Sequence, residues 1–304
     1  MNKAFMLILV TTMISSVVQA QEFTEVWPEG KIPNSKGIQL EHIENNQRIT
    51  QVAVPGFYTF LPAAEENKKA AVLILPSGGY QHLTYNWGGF QVAKWLNTIG
   101  ISAFVLNYRL PTSPDLMVSY KGPIQDAQRT MKIIRANAEK YKIDPAKIGV
   151  FATSAGGHLA TILGTHKEDF SEVKNDTLNM YSFKPDFMLL VSPVISFGKY
   201  AHEGSRDNFL GVSPSEEMKK KYSNELRVTS DTPPAFLVHA QNDKSVSPKN
   251  SILFYEAMME NGVKGSLHIF PKGSHGIGIN NASGLTDIWK ELCEEWLKEE
   301  QVIN

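Results

Sequence analysis

The chain has 304 residues, of which 42% are hydrophobic and 20% are charged, and its formal net charge at pH 7 is −1. This composition is typical of a globular protein and excludes an intrinsically disordered chain. The near-zero charge and the absence of a basic run argue against nucleic acid or an anionic membrane surface as a partner. A chain of this length needs no disulfide or structural metal to fold, and its single cysteine, Cys293, is expected to be a buried apolar residue.

Residues 1–20 have the pattern of a secretory signal peptide. Lys3 precedes an apolar stretch that runs to about Val18, and the small-residue ending Val18-Gln19-Ala20 suits signal peptidase. An uncleaved anchor helix is the alternative, but the apolar stretch is short and is interrupted by threonine and serine. We therefore expect cleavage after Ala20, no stable membrane insertion, and an exported protein that is periplasmic or secreted.

Residues 21–304 contain neither an internal repeat nor a low-complexity linker, and we expect them to form a single domain. Short apolar runs predict strands that are buried on both faces, at 70–76, 101–108, 147–153, 187–193, 235–240 and 266–270. Helices are predicted at 90–98, 122–141, 155–164, 248–261 and 285–300. This alternation predicts an α/β fold with a mostly parallel central sheet and helices on both faces. Ligands of such sheets bind beyond the carboxyl ends of the strands.

Ser154 lies between a predicted strand and a predicted helix, in the sequence FATSAGGHLA (151–160). The frame is that of the G-x-S-x-G nucleophile elbow, with Ala152 in place of the first glycine. The small residues Ala155, Gly156 and Gly157 would let the strand and helix backbones approach each other at this turn. On its own the motif is more often a helix-capping serine or a chance turn than a nucleophile.

A serine nucleophile needs a histidine base and a group that orients the base. Asp243 lies three residues after one predicted strand, and His275 lies five residues after the next, in a glycine-rich loop. Each alone fits a turn aspartate or a loop histidine. Together they give the chain order Ser, Asp, His, with each residue at a strand exit, which an α/β-hydrolase triad requires.

The sequence LPSGGY (75–80) follows the first predicted core strand. The backbone N–H groups of Gly78 and Gly79 are candidate donors to an oxyanion, together with the N–H of Ala155. A plain strand-to-loop turn is the alternative for the two glycines.

These segments resemble the α/β-hydrolase superfamily, in particular the esterases related to hormone-sensitive lipases and the secreted bacterial carbohydrate acetyl esterases. The resemblance rests on five segments, at 75–80, 105–110, 122–160, 232–246 and 273–279. It implies Ser154 as nucleophile, Asp243 and His275 as its partners, and Gly78, Gly79 and Ala155 as oxyanion donors. Ser77 and Ala152 each replace a glycine of the family pattern, and neither residue belongs to the donor set.

The resulting hypothesis is hydrolysis of an ester through an acyl-enzyme on Ser154, with no metal and no organic cofactor. The histidines show no metal-ligand spacing such as H-E-x-x-H, and His158 is interpreted as a packing residue. Tyr80, Tyr85 and Trp87 are candidate contacts for a sugar ring, with loop packing as the alternative.

By resemblance, acetylated plant polysaccharide is the expected substrate. A feruloyl esterase or a generic short-chain esterase is the next alternative. A glycoside hydrolase is less favoured because no pair of carboxylates lies at the strand exits, and a non-catalytic binding protein because all three triad members are present. A peptidase is less favoured because the sequence shows no propeller or added domain of the kind that prolyl-peptidase relatives carry.

Overall fold

The protein is described by a computed structural model that covers residues 21–28, 30–171, 173–277, 286 and 288–304. The predicted signal peptide and residues 278–285 lie outside the described residues. The strands are β1 (Phe23–Glu25), β2 (Ile43–Asn45), β3 (Arg48–Gln51), β4 (Gly56–Phe60), β5 (Ala71–Leu75), β6 (Ser102–Asn107), β7 (Ile148–Thr153), β8 (Met188–Val191), β9 (Ala235–Ala240) and β10 (Gly265–Phe270). The α-helices are α1 (Gln91–Thr98), α2 (Lys121–Ala136), α3 (Ala138–Tyr141), α4 (Ala155–Thr165), α5 (Glu203–Leu210), α6 (Glu216–Lys221), α7 (Lys249–Glu260) and α8 (Trp289–Glu299).

Eight strands of the described chain form one sheet, in the order β1-β4-β6-β5-β7-β8-β9-β10. Six neighbouring strands pair in parallel: β6, β5, β7, β8, β9 and β10. Strands β4 and β1 extend the sheet beyond β6 through antiparallel pairs. The six parallel strands are the six that the apolar runs predict, so the predicted α/β architecture is confirmed. The short strands β1 to β4 carry no such runs, and the sequence did not predict them.

The sheet has an apolar layer on each face. Along β5, Ala71, Leu73 and Leu75 face a cluster that includes residues of α2, α4 and α7. Val72 and Ile74 face the opposite cluster, with residues of α1 and α8. Each face therefore buries one of the two side-chain sets of a strand that is apolar throughout. Cys293, on α8, is buried in the second cluster as predicted.

The helix predicted at 122–141 is two helices, and this prediction is corrected at Asn137. The side-chain amide of Asn137 donates to the Ile133 carbonyl at 2.8 Å, and its backbone N–H is shared between the carbonyls of Ile133 and Ile134. Asparagine competes in this way for the carbonyls that would continue a helix. Helices α5 and α6 were also not predicted.

Asp126, on α2, joins three parts of the chain and is fully buried. Its carboxylate accepts hydrogen bonds from the indole N–H of Trp27 at 2.7 Å and from the backbone N–H of Arg109 at 2.8 Å. The Arg109 guanidinium donates to the same carboxylate through Nε and Nη2, and its Nη1 donates to the Pro33 carbonyl. The segment that precedes β2 is thereby attached to α2 and to the end of β6.

No helix among the described residues is long and apolar enough to cross a bilayer.

The amino end of α4 lies in direct backbone contact with the sheet. A Cβ atom added to Gly156 would lie 2.2 Å from the carbonyl oxygen of Leu75, and one added to Gly157 would lie 2.5 Å from Pro193 Cβ. Both distances are too short for a real contact. Only glycine fits at these two positions without moving α4 away from the sheet.

We therefore predict that Gly156→Ala lowers the free energy of unfolding by about 1–3 kcal/mol or more, because backbone atoms must move to admit the methyl group. Gly204→Ala is the matched control. Its added Cβ would lie 3.5 Å from the His202 ring, an ordinary contact, and alanine favours a helix by up to about 1 kcal/mol. Urea denaturation followed by circular dichroism measures both. Equal midpoints for Gly156→Ala and the unsubstituted protein would contradict the prediction.

Candidate active site

Ser154 occupies a sharp turn between β7 and α4. Its backbone has φ 57° and ψ −126°, a conformation that costs a non-glycine residue about 1–3 kcal/mol. Hydrogen bonds hold the turn: the Ser154 N–H donates to Val191, and the Ser154 carbonyl accepts from the N–H groups of Gly157 and Val194, both at 2.9 Å. Strain maintained by surrounding bonds is typical of a functional position.

Ala152 does not disturb this turn. It pairs with Leu75 and Leu190 in the sheet and is fully buried in the core. The contacts that only glycine permits fall at Gly156 and Gly157 instead.

Asp243 and His275 form the hydrogen bond that a triad requires. His275 Nδ1 donates to Asp243 Oδ2 at 2.7 Å. The Asp243 side chain is fully buried, whereas that of His275 is 29% exposed. Oδ1 of Asp243 accepts from the backbone N–H groups of Ser245 and Val246, at 2.8 and 2.9 Å. Both carboxylate oxygens of Asp243 therefore accept hydrogen bonds, and these bonds fix the orientation of the side chain.

These donors keep Asp243 ionised. Burial alone would raise the pKa of Asp243, but hydrogen bonds from His239 and His275, and from the backbone of Val246, hold that pKa well below its usual range. The carboxylate is thus negatively charged at any pH at which the protein would act, as is required to stabilise an imidazolium.

The loop that carries His275 contacts residues next to Ser154. The N–H of Gly276 donates to Ser192 Oγ at 3.3 Å, and Ser192 directly follows β8, the neighbour of β7. A Cβ on Gly276 would lie 3.9 Å from Thr153 Cγ2. Among the described residues no hydrogen bond joins Ser154 to His275; the loop contacts bring the two residues to the same edge of the sheet.

The oxyanion turn, residues 77–79, contains the predicted donors Gly78 and Gly79, and their N–H groups have no protein acceptor in the described part of the chain. Its carbonyls are occupied: Ser77 O accepts from Thr84 N at 2.9 Å, and Gly78 O accepts from Gln81 N at 3.0 Å. Because N–H and C=O of one trans peptide point in opposite directions, the N–H groups of Gly78 and Gly79 point away from these partners. In the described part of the chain, neither N–H group donates to a protein atom, and the same holds for Ala155.

Ser77, which departs from the family pattern, helps to hold this turn. Its hydroxyl lies 2.6 Å from Thr84 Oγ1. Gly78 has φ 135°, and a Cβ there would lie 1.9 Å from the His82 carbonyl oxygen, so position 78 requires glycine.

Helix α5 contributes two residues to the site that the sequence did not reveal. Asn208 Nδ2 donates to the Gly79 carbonyl at 2.9 Å. His202 caps the helix, its Nδ1 accepting from the N–H of Ser205, and its Cε1 lies 4.0 Å from where a Gly79 Cβ would be. Burial and the nearby His275 lower the pKa of His202. No spacing or motif distinguishes these two residues in the sequence.

The three aromatic residues proposed as substrate contacts have different environments. Tyr80 is fully buried, with its hydroxyl 3.0 Å from His158 Nδ1, and burial raises its pKa well above the usual value. The structure therefore does not support a substrate contact for Tyr80. Tyr85 is half-buried and donates a hydrogen bond to Glu44, and Trp87 is half-buried.

His158 has the packing role that the sequence analysis assigned to it. It is fully buried and stacked on Phe197, its Nε2 lies 2.8 Å from the Tyr222 carbonyl, and burial lowers its pKa to about 3. Within the described ranges, no group of three or more His, Cys, Asp or Glu residues is placed to hold a metal ion. Surface cavities of about 300 and 460 Å³ next to Arg227 contain none of the predicted site residues.

A mostly parallel sheet with a strained serine between strand and helix, and with Asp and His on later strand exits, defines the α/β-hydrolase fold. Within that fold the chain belongs to the BD-FAE family, whose model matches residues 58–258.

The chain is similar to an acetylxylan esterase and to a xylanase. It is 34% identical to an acetylxylan esterase of Xylanibacter ruminicola, over 79% of this chain and 47% of that protein. It is 32% identical to endo-1,4-beta-xylanase B of Butyrivibrio fibrisolvens, over 78% of this chain and 37% of that protein. The chain thus spans less than half the length of either relative.

A solved structure is similar over its whole length. It is the acetyl ester-xyloside bifunctional hydrolase of Caldicellulosiruptor lactoaceticus, 34% identical, with a TM-score of 0.81 over 95% of this chain and 100% of that one.

The low pKa of Asp243 predicts how stability depends on pH. An unfolded aspartate has a pKa of about 3.9. Since the folded value is lower, the charged carboxylate stabilises the fold above that pH, and this contribution is lost as the pH falls toward the folded pKa. We predict that Asp243→Asn is less stable than the unsubstituted protein above about pH 5, and that the difference narrows at about pH 3. Urea unfolding at several pH values tests this; a difference that is constant with pH would contradict it.

Proposed function

We propose that the protein is a serine carboxylesterase that removes short acyl groups, acetyl above all, from plant polysaccharides or oligosaccharides. The observation that carries the proposal is the 2.7 Å hydrogen bond from His275 to the buried, ionised Asp243. The loop that carries His275 also contacts residues next to Ser154 and its strand. Membership of the BD-FAE family and the likeness to an acetylxylan esterase support the same activity.

In the proposed mechanism, Ser154 Oγ attacks the ester carbonyl while His275 Nε2 accepts the hydroxyl proton. His275 Nδ1 keeps its proton in the bond to Asp243, which leaves Nε2 free to act as the base. Hydrogen bonds of a catalytic serine are often long without substrate and tighten when it binds. The absent Ser154–His275 bond is consistent with that behaviour.

The N–H groups of Gly78, Gly79 and Ala155 are proposed to donate hydrogen bonds to the negative charge that forms on the carbonyl oxygen. Their freedom from protein acceptors supports this role, and one such donor is worth about a hundred- to a thousandfold in rate. His275 then gives its proton to the leaving alcohol. A water molecule, deprotonated by His275, hydrolyses the acyl-enzyme and releases the carboxylate.

For the sugar, Trp87 is the remaining one of the three aromatic candidates. Tyr80 is buried, and the Tyr85 hydroxyl is already bonded to Glu44. Trp87 is half-buried, and an indole ring that keeps an accessible face suits stacking on a pyranose. A feruloyl esterase or a generic short-chain esterase is the alternative. The substrate panel below separates these two activities from a polysaccharide acetyl esterase.

We predict that Ser154→Ala lowers the rate of acetate release by about 10⁴-fold or more, because no other group can form the acyl-enzyme. The panel comprises acetylated xylan, pectin and mannan oligomers, a feruloylated oligosaccharide and p-nitrophenyl acetate. Ser102→Ala is the matched control: Ser102 is a buried serine at the amino end of β6, and its hydroxyl has no hydrogen-bond partner among the residues that the structure describes. Acetate release that survives in Ser154→Ala would overturn the assignment. Activity on p-nitrophenyl acetate alone would favour the generic esterase.

Xyloside hydrolysis is a second candidate because the Caldicellulosiruptor lactoaceticus protein is described as bifunctional. A glycosidase of the usual kind needs two carboxylates that face one bond. The described site contributes one, Asp243, and that residue is already bonded to His275. Adding p-nitrophenyl xyloside to the panel decides the point. Xylose release that persists in Ser154→Ala would establish a separate glycosidase activity.

We also propose that the protein is exported, on the pattern of residues 1–20. Expressed with its natural amino terminus, the exported protein is predicted to begin at Gln21. Amino-terminal sequencing checks this, and a protein that begins at Met1 would contradict it.

A further inference from the structure

A second histidine contacts the carboxylate of Asp243. His239 lies near the carboxyl end of β9 and is fully buried. Its Nε2 is 3.2 Å from Asp243 Oδ2, the same oxygen that accepts the proton of His275 Nδ1. The proposed mechanism gives His239 no role.

The neighbours of His239 determine which of its nitrogens carries the proton. Nε2 also lies 3.0 Å from the carbonyl oxygen of Val246. A carboxylate and a carbonyl only accept hydrogen bonds, so Nε2 carries the proton, which faces the Val246 carbonyl at 3.0 Å and the Asp243 carboxylate at 3.2 Å. Nδ1 is then an acceptor, and the Ser251 hydroxyl, 2.8 Å away on α7, donates to it. Both ring nitrogens are satisfied in this one tautomer.

With His239 included, four N–H donors of the described chain face the Asp243 carboxylate. Oδ1 accepts from the N–H groups of Ser245 and Val246, and Oδ2 accepts from His275 and lies 3.2 Å from His239 Nε2. Rotation of the carboxylate would break all of these bonds in a buried site, where an unpaired charge is costly. Three of the four donors are on the β9–α7 connection or on β9 itself, so their positions do not depend on the His275 loop.

We propose that His239 is a positioning residue for the reaction: its Nε2–H holds the Asp243 carboxylate in the plane that His275 needs. The inference rests on the proposed triad. The contacts Ser251, His239, Asp243 and His275 form a chain from α7 through β9 to the His275 loop, and its first two members lie in a helix and a strand rather than in a loop.

The test removes the Nε2–H donor of His239 and keeps a ring of similar volume at this buried position. In His239→Phe, kcat on p-nitrophenyl acetate is expected to fall about ten- to a hundredfold with KM changed less than about threefold, because orientation and not substrate binding is lost. This is less than the roughly 10⁴-fold loss seen in serine proteases when the triad carboxylate becomes an amide. His239→Gln, which keeps a side-chain N–H, is expected to recover most of the rate. If Phe prevents folding, His239→Met makes the same change with a flexible side chain.

A second readout reports on the Asp243–His275 bond without any substrate. A strongly hydrogen-bonded imidazole N–H gives a far-downfield proton resonance, which His275→Ala would assign. In His239→Phe this resonance is expected to move upfield or broaden, and in His239→Gln to stay. His166→Phe is the matched control: His166 is also buried and bonded to a polar side chain, Asn224, but within the described residues it makes no hydrogen bond or ion pair with the triad. It should lose stability and keep both kcat and the resonance.

The outcomes separate this inference from the proposed function. An unsubstituted protein without esterase activity would contradict the proposed function, whereas the resonance would still test His239. An active protein in which His239→Phe changes neither kcat nor the resonance would overturn the positioning role alone. A loss of kcat of equal size in His166→Phe would also overturn it, because a general loss of packing would then explain both.

Discussion

The contact between the backbone of α4 and the sheet is the constraint on which the rest of the site depends. Gly156 and Gly157 let the helix begin against Leu75 and Pro193, directly after the strained backbone of Ser154. Bonds from the N–H groups of Gly157 and Val194 to the Ser154 carbonyl hold that conformation where strand and helix meet. At the same helix start, the N–H of Ala155 has no acceptor within the described part of the chain.

Around this fixed point, the other groups of the proposed site are oriented indirectly, by hydrogen bonds to atoms that do not react. Partners on the carbonyls of Ser77 and Gly78 set the direction in which the N–H groups of Gly78 and Gly79 face. Backbone and histidine donors set the plane of the Asp243 carboxylate. Ser192 and Asn242 bind the backbone of the His275 loop, at Gly276 and Ser274. Such preorganised groups need little rearrangement when charge develops in the transition state.

The strongest signals in the sequence were those in which one chemical property repeats over a whole element. Continuous apolar runs identified the six parallel strands, and the three triad candidates were recognisable because each follows such a run. Signals that depend on a single tertiary contact were invisible. Asn208 lies on a short helix that has no apolar periodicity, and His202 caps the same helix. His239 lies inside an apolar strand, and no sequence pattern distinguishes it.

The errors have the same origin. The break at Asn137 comes from one side chain that bonds to the preceding turn, which periodicity cannot detect. Tyr80 was proposed as a substrate contact because it adjoins the oxyanion glycines. Its backbone turns at φ 61° and directs the ring among Tyr108, His158 and Phe209. Proximity along the chain says nothing about such a reversal of direction.

The bonds of Asp126 have a consequence for the order in which the chain can fold. Trp27 and Asp126 are separated by 99 residues, so during synthesis the Trp27 indole has no partner at Asp126 until α2 has emerged. Strand β1 can pair with β4 before then. Contacts between residues that are far apart in the sequence form late because a long loop must close first. The contact of Trp27 with α2 is thus expected to form after the β1–β4 pair, and it fixes a segment whose strand is already in place.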